Sequence, residues 1–271
     1  MQKSYLGELI SEFIGSFILI FIGVGVVAAL VLEGAGIGQW EISIVWGMAV
    51  AMAIFVTGSI SGTHINPAVT LALATFKGFD KKKVIPYIIA QMLGTFAAAA
   101  VVYGLYRSSF LLYEQTNNLV RGTQESAKLV GIFSTFPKPH LSTMEALLVE
   151  IAITAFLLIV VLAVGDTRNQ AAPTPGMAAV MIGITIAIIG SSFGPLTGFA
   201  MNPARDLGPR LFAIFAGWGS AAVGPNSYGF IVPIFGPIIG AQLGGFIYEK
   251  IIVPYFPTMQ VVAKSKVEIK K

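Results

Sequence analysis

Two copies of one tripeptide, Asn66-Pro67-Ala68 and Asn202-Pro203-Ala204, lie in apolar sequence 136 positions apart, and the second runs on into Arg205-Asp206. An Asn side chain carries an acceptor oxygen and two N–H donors, so it can cap a helix and still present a donor to a passing hydroxyl or water oxygen. Proline, with its φ pre-set and no N–H to lose, suits the first helical position. Each triplet therefore reads as a capped helix start. Arg205 adds a fork of donors, and Asp206 is positioned to order the loop around it. Glu12 and Glu150 sit in apolar runs and look at first sight like a proton relay, whereas His64, a lone imidazole beside a turn, reads as a satisfied side chain.

Composition sets the solvent in which these residues work. With 55% hydrophobic residues, 11% charged and a mean hydropathy of +0.81, the chain would expose too much apolar surface as a soluble globule, so it reads as an integral membrane protein. The absence of Cys excludes disulfides, thiolate metal sites and Cys nucleophiles. His64 and His140 are the only imidazoles, and neither a Ser-His-Asp grouping in a soluble setting nor a phosphate-binding loop is present. No enzyme, cofactor or metal site is expected. The basic residues divide between loops and tail without an aromatic platform, so nucleic acid is not an expected partner either.

Apolar stretches long enough to span a bilayer fall at about 6–32, 42–60, 84–106, 144–165, 177–193 and 230–253. The first has Glu8 and Glu12 in the wrong place for a cleaved signal peptide and is expected to stay as an anchor. Each triplet opens a segment of only about eleven residues, roughly 16 Å of helix, half of a roughly 30 Å hydrocarbon core. The stretches leading into them, 58–65 and 194–201, are Gly-rich and are not expected to be fully helical. Irregular backbone at that depth survives where it is buried or lines a watery cavity, so these stretches propose themselves as pore walls.

Charge gives the topology. Lys3, Lys77, Lys81, Lys82, Lys83, Arg168, Lys250, Lys264, Lys266, Lys270 and Lys271 make eleven of the seventeen basic residues, and six spans put them all on one side. That side reads as cytoplasmic, with both termini inside. Three spans per half require the second half to be inverted, which brings the two half-helices in from opposite faces with Asn66 and Asn202 meeting near the midplane. The fold class expected is an all-α membrane protein with six transmembrane helices and two half-spanning re-entrant helices in two inverted repeats. Residues 1–271 are read as one domain, with repeats at about 1–106 and 144–253, an ordered external loop at 107–143 and a cytoplasmic tail at 254–271. Gly236, Gly240 and Gly244, every four residues in the last span, predict close helix contact.

Ser11-Glu12-Phe13, the run from Ser61 through Thr70 and the run from Gly194 through Asp206 together resemble the major intrinsic protein family over nearly the whole chain, and within it the aquaglyceroporin branch of bacterial glycerol facilitators. Asp206 after Arg205 resembles the glycerol-conducting branch. The resemblance implies an aquaporin-like fold, a homotetramer in the lipid bilayer of the plasma membrane, and acids Glu12 and Glu150 that brace the re-entrant loops instead of relaying protons. It implies pore acceptors at the carbonyls of Gly62, Thr63, His64 and Ile65 and of Gly198, Phe199, Ala200 and Met201. It also implies a selectivity filter of Trp46, Gly190, Phe199 and Arg205, in which Gly190 leaves room where water-selective relatives usually carry a His. Read without the resemblance, Trp46 near a span's outer end also suits an interfacial belt.

The function so implied is a passive channel for glycerol and related small uncharged solutes, with water as co-permeant. Two facing helix N-termini, each with about half a positive charge, oppose a cation at about 5 Å by roughly 3 kcal/mol at an effective dielectric near 20. Exclusion of protons and ions by such half-helix dipoles and an Arg is the general account of aquaporin-type pores. A water-selective aquaporin is the nearest alternative. A proton-coupled secondary transporter using Glu12 or Glu150 and a membrane scaffold without transport are the others.

Overall fold

The computed structural model describes residues 4–257, so the tail lysines from position 264 onward lie outside the described residues. Six helices among them are long and apolar enough to cross a membrane: α1 (Tyr5–Glu33), α2 (Gln39–Ser61), α4 (Lys81–Leu105), α7 (Thr143–Val164), α8 (Pro175–Thr197) and α10 (Tyr228–Phe246), the last continuing in looser turns to Tyr255. Two short helices, α3 (Pro67–Phe76) and α9 (Pro203–Ala213), follow the triplets. At ten and eleven residues they reach about half a bilayer, as their spacing predicts.

Local chemistry explains the starts and stops. Asn66 Oδ1 accepts from Ala68 N at 2.9 Å, and Asn202 Oδ1 accepts from Ala204 N at 3.0 Å and Arg205 N at 3.2 Å, with Pro67 and Pro203 at the first helical positions. Asp80 caps α4 through Lys82 N, so the three lysines 81–83, read from hydropathy as lying ahead of the span, are its first turn. The entry stretches are shorter than their glycines suggest. Both α2 and α8 stay helical through Ser61 and Thr197, and only residues 62–65 and 198–201 leave the helix, each at a Gly in the left-handed region, Gly62 (φ 85°) and Gly198 (φ 80°).

Packing interlocks the two halves. α1 lies against α2 and α4, α7 against α8 and α10, and α2 meets α8 along the seam. Each half-helix also packs on the third span of the opposite half, α3 on α10 and α9 on α4. The predicted glycine ridge carries close contact: a Cβ on Gly240 or Gly244 would overlap the carbonyls of Ile151 and Ala155 on α7, and one on Gly236 would lie 2.7 Å from Glu150 Cβ.

The connection between α4 and α7 is ordered. It carries α5 (Arg107–Thr116) and the short α6 (Ala127–Val130), and it closes over an aromatic cluster of Tyr103, Phe110, Phe133, Phe212 and Trp218. Arg121 lies 4.2 Å over the Trp218 ring while its guanidinium donates to both Glu114 oxygens at 2.9 Å. Beyond the cluster the chain dips back toward the second triplet and is fastened by Lys138 N donating to Leu196 O at 2.9 Å.

Candidate permeation site

The two short breaks in helix are built alike. Each pairs a left-handed Gly with two left-handed non-Gly residues at matched positions, Thr63 (φ 51°) and Ile65 (φ 42°) in the first, Phe199 (φ 41°) and Met201 (φ 50°) in the second. Such backbone is costly for side chains with a Cβ, above all for β-branched Thr and Ile, and persists where its surroundings hold it. A fully buried acid does the holding in each half. Glu12 accepts from Ser61 Oγ (2.6 Å), His64 N (2.9 Å), Ile65 N (2.7 Å) and Gln91 Nε2 (2.8 Å). Glu150 accepts from Thr197 Oγ1 (2.6 Å), Ala200 N (3.0 Å) and Met201 N (2.9 Å). With the loop N–H groups turned toward the acids, the loop carbonyls are left to face the other way.

The triplets meet. Asn66 Nδ2 donates to Met201 O at 2.9 Å and Asn202 Nδ2 to Ile65 O at 2.8 Å, so each amide reaches across to the opposite loop. Each amide nitrogen keeps its second N–H, and the carbonyls of Ile65 and Met201, which the resemblance implies as pore acceptors, already accept one bond each. Around this crossing runs a cavity of about 90 Å³, several times the about 10–15 Å³ that one water needs. His64, Asn66, Ala200, Asn202 and Arg205 line it together with apolar side chains such as Leu19, Val50, Ile54, Ile182 and Ile186. His64 is buried, with Nδ1 3.1 Å from Thr70 Oγ1 and its ring packed on Phe79 and Tyr87, a partnered imidazole.

Arg205, Trp46 and Phe199 come together in the lining of the cavity. The Arg205 guanidinium carbon lies 4.1 Å from the centroid of the Trp46 ring, and Trp46 and Phe199 meet edge to face at 6.3 Å. Trp46 is only 3% exposed, which places it inside the bundle and not in an interfacial belt. Arg205 Nη1 makes a long contact to Phe133 O at 3.4 Å, and the remaining N–H groups of its fork have no protein acceptor among the described residues. Gly190 does not itself line the cavity. A Cβ there would lie 2.8 Å from Ser43 Oγ, 3.0 Å from Ser43 Cβ and 3.0 Å from the Phe199 ring, so the space that this glycine leaves is shared by the Ser43 side chain and that ring.

Asp206 does not pair with Arg205. Its Oδ1 accepts from Arg210 Nε at 2.7 Å, and its Oδ2 accepts from Thr135 N and Thr135 Oγ1, both at 2.7 Å. Arg210, fully buried, goes on to Thr135 O and Ala222 O. This lock holds the dipping segment whose Phe133 carbonyl touches Arg205, so Asp206 acts on Arg205 at one remove.

Several contributors are not evident from the sequence. Gln91 is a lone amide in an apolar span, and that polarity is the one signal that could mark it; it bridges Glu12 and Thr70. Gln39 donates to Gly190 O at 2.8 Å from the start of α2. Phe133 and Thr135 sit in a long connection whose path no local pattern reveals.

The sequence model of the major intrinsic protein family matches residues 1–248. The glycerol uptake facilitator protein of Escherichia coli is 53% identical over 262 residues, covering 96% of this chain and 93% of its own. The propanediol uptake facilitator of Citrobacter freundii is 47% identical over 259 residues, covering 95% of this chain and 96% of its own. The X-ray structure of the aquaglyceroporin from Plasmodium falciparum superposes with a TM-score of 0.80 at 33% identity, over 93% of this chain and 98% of that one.

Proposed function

The chain belongs to the major intrinsic protein family and is a multi-pass membrane channel, not an enzyme, and from that premise we propose that it conducts glycerol and related small uncharged solutes passively, with water as co-permeant and with protons and ions excluded. The observation that carries this reading is a cluster in the cavity wall: an Arg fork with free donors beside two aromatic rings, in a lining otherwise largely apolar. A three-carbon polyol lying with its hydroxyls toward Arg205 and its CH face toward Trp46 and Phe199 suits that chemistry. Relatives named for glycerol and for propanediol uptake support the same solute class.

In this reading Trp46, Phe199 and Arg205 form the filter and Gly190 seats the Phe199 ring. Asn66 and Asn202 hold the permeant oxygen at the centre, where Pro67, Ala68, Pro203 and Ala204 set the two helix starts. The carbonyls of Gly62, Thr63, His64, Ile65, Gly198, Phe199, Ala200 and Met201 replace its lost hydration. Glu12, Glu150 and Asp206 support the walls. The whole chain acts as one channel domain of two inverted repeats, about 1–106 and 144–253, with 107–143 outside and 254–271 inside. A homotetramer in the plasma membrane with both termini cytoplasmic completes the proposal, supported by family membership and by the one-sided lysines and arginines.

Stopped-flow light scattering on proteoliposomes, challenged first with an impermeant osmolyte and then with glycerol, tests it by reading both fluxes from one sample. Fast, non-saturating glycerol entry above that of empty liposomes is expected. Water flux without glycerol flux would make the chain a water-selective pore, and accumulation against a gradient would make it a coupled transporter; either would overturn the reading.

A further inference from the structure

Outside the permeation cavity lies a recess of about 430 Å³ on the surface of the bundle between α1 and α4, lined by Leu9, Ile10, Phe13, Pro86, Ile89 and Leu93 with Ala90 at its floor. Two fixed points give it its shape. At one end the helices cross so closely that a Cβ on Gly94 would overlap the Phe13 carbonyl. At the other, Lys83 Nζ lies 2.7 Å from Glu8 Oε2 and Tyr87 Oη donates to the same oxygen at 3.0 Å. Between them the short side chains of Pro86 and Ala90 leave a channel along the helix pair, flanked by Ile10 and Ile89, which are about half exposed.

The charge beside this groove is distinctive. Lys82, Pro86, Ile89 and Leu93 follow one another at spacings of four, three and four, so they form a single stripe on α4 with the ammonium one turn beyond the apolar groove. Neighbouring Lys77 and Lys83 are committed to Glu249, Asp166 and Glu8, whereas Lys81 and Lys82 are exposed and make no ion pair among the described residues. Asp80, whose carboxylate caps the helix through Lys82 N, offsets one of these two charges and leaves the mouth net positive. From Lys82 to Leu93 is about 16 Å of helix, the depth of one leaflet.

We propose that this groove binds one phospholipid with an anionic headgroup, its phosphate held by Lys81 and Lys82 and one acyl chain laid along Pro86, Ile89 and Leu93. An apolar trough alone would take any acyl chain; the two free ammonium groups at its mouth select the headgroup. The proposal concerns the lipid-facing surface and stands apart from the channel reading, because the bound lipid is counted directly.

Native mass spectrometry of the purified full-length protein, titrated with phosphatidylglycerol or with phosphatidylcholine of the same acyl chains, tests it. One phosphatidylglycerol is expected to bind about tenfold more tightly than phosphatidylcholine, given two lysines near the headgroup. The Lys81→Gln/Lys82→Gln variant should fall to the phosphatidylcholine level, and Ala90→Trp, which fills the trough, should lose both lipids, with glycerol flux unchanged in each. Undiminished phosphatidylglycerol binding by the lysine variant would overturn the proposal, as would loss of oligomer mass with unchanged lipid in Ala90→Trp, which would make a second copy of the chain the occupant. Should Ala90→Trp fail to fold, the lysine variant decides alone.

Discussion

The loop before α3 and the loop before α9 share a scaffold and divide the work. Positions 61, 63, 64, 65 and 66 are matched 136 residues later by 197, 199, 200, 201 and 202, and the matched groups make matched bonds: an acid takes a hydroxyl and two successive backbone N–H groups in each half. Even the outer brace repeats, Tyr87 Oη on Ser61 O and Tyr228 Oη on Thr197 O, both at 3.3 Å. What differs is what the loop presents. The first shows Thr63 and Val69 to the cavity, the second Phe199 and Arg205 at the same offsets. In the channel proposed above, the repeated scaffold builds the pore walls, and the differences at a few positions of the second loop supply the chemistry by which solutes are told apart.

The largest expected effect comes from removing an acid, and it should be unequal between halves. Glu150→Ala strips acceptors from a buried hydroxyl and two buried N–H groups, which at about 1–3 kcal/mol for each unsatisfied donor amounts to about 3 kcal/mol or more. Glu12→Ala exposes the first loop to a similar loss, but Gln91 stands beside it with an Oε1 that has no partner and can turn to accept. Thermal unfolding in detergent should show Glu150→Ala as the more destabilised variant, with the larger fall in glycerol flux per folded channel. Equal losses would mean that Gln91 gives no backup.

Arg205→Val tests the divergence itself, because it makes the second loop resemble the first at positions 205 and 69. A full positive charge in the cavity wall opposes a proton or cation by roughly 3 kcal/mol at about 5 Å and an effective dielectric near 20. Its removal should raise proton leak about a hundredfold, read with a pH-sensitive dye inside proteoliposomes, and should reduce discrimination among small polyols. Val69→Ala, the matched change in the other loop, should leave proton leak near the parent level. A leak unmoved in Arg205→Val would return the whole barrier to the paired helix N-termini.

Much of this architecture is legible in the sequence, and the limits are physical. Helix starts, half-lengths and facing triplets follow from capping chemistry and bilayer dimensions, both of which act within a few residues. The pairing of Asp206 is not legible, because Arg205 is adjacent in the chain while Arg210 lies one turn away on the same face of α9, and a helix brings i and i+4 together where it separates i and i+1. The role of Gly190 is likewise hidden. A missing side chain suggests open room, yet the room is taken by Ser43 on α2 and by Phe199, nine residues further along the chain.

That last point separates two further matched residues, Gly58 and Gly194. A Cβ on Gly58 would meet nothing nearer than 3.5 Å, whereas one on Gly194 would lie 2.6 Å from Gln39 Nε2 and 2.7 Å from the Phe199 ring. Gly58→Ala should therefore be neutral, or stabilising by about 0.5–1 kcal/mol through helix propensity. Gly194→Ala must push the ring toward the cavity, and the glycerol-to-water flux ratio should fall severalfold. A ratio unchanged in Gly194→Ala would show that Phe199 is not seated by α8.

The smallest effect concerns how the two half-helices are tied down beyond the loops. Near α9 the tie is the fully buried Asp206–Arg210 pair, and near the end of α3 it is a partly exposed cluster in which Lys77 and Arg168 meet Asp166 and Glu249. The Arg168 guanidinium, 2.6 Å away, holds the Asp166 carboxyl well below the usual carboxylate range. A carboxyl with a depressed folded-state pKa adds stability above its unfolded value, about 3.9, and loses it as pH falls through the folded value. Asp166→Asn should thus lower the melting temperature by a degree or two at any pH from 5 to 8, and the gap should begin to narrow only below about pH 4 and close as pH falls on through the depressed folded value. High salt should narrow the gap as well, since partly exposed pairs are screened where the buried pair at α9 is not. A gap that ignored both pH and salt would assign the loss to the Tyr248 hydroxyl that donates to Asp166 at 3.2 Å, a bond that an amide oxygen could keep only in part.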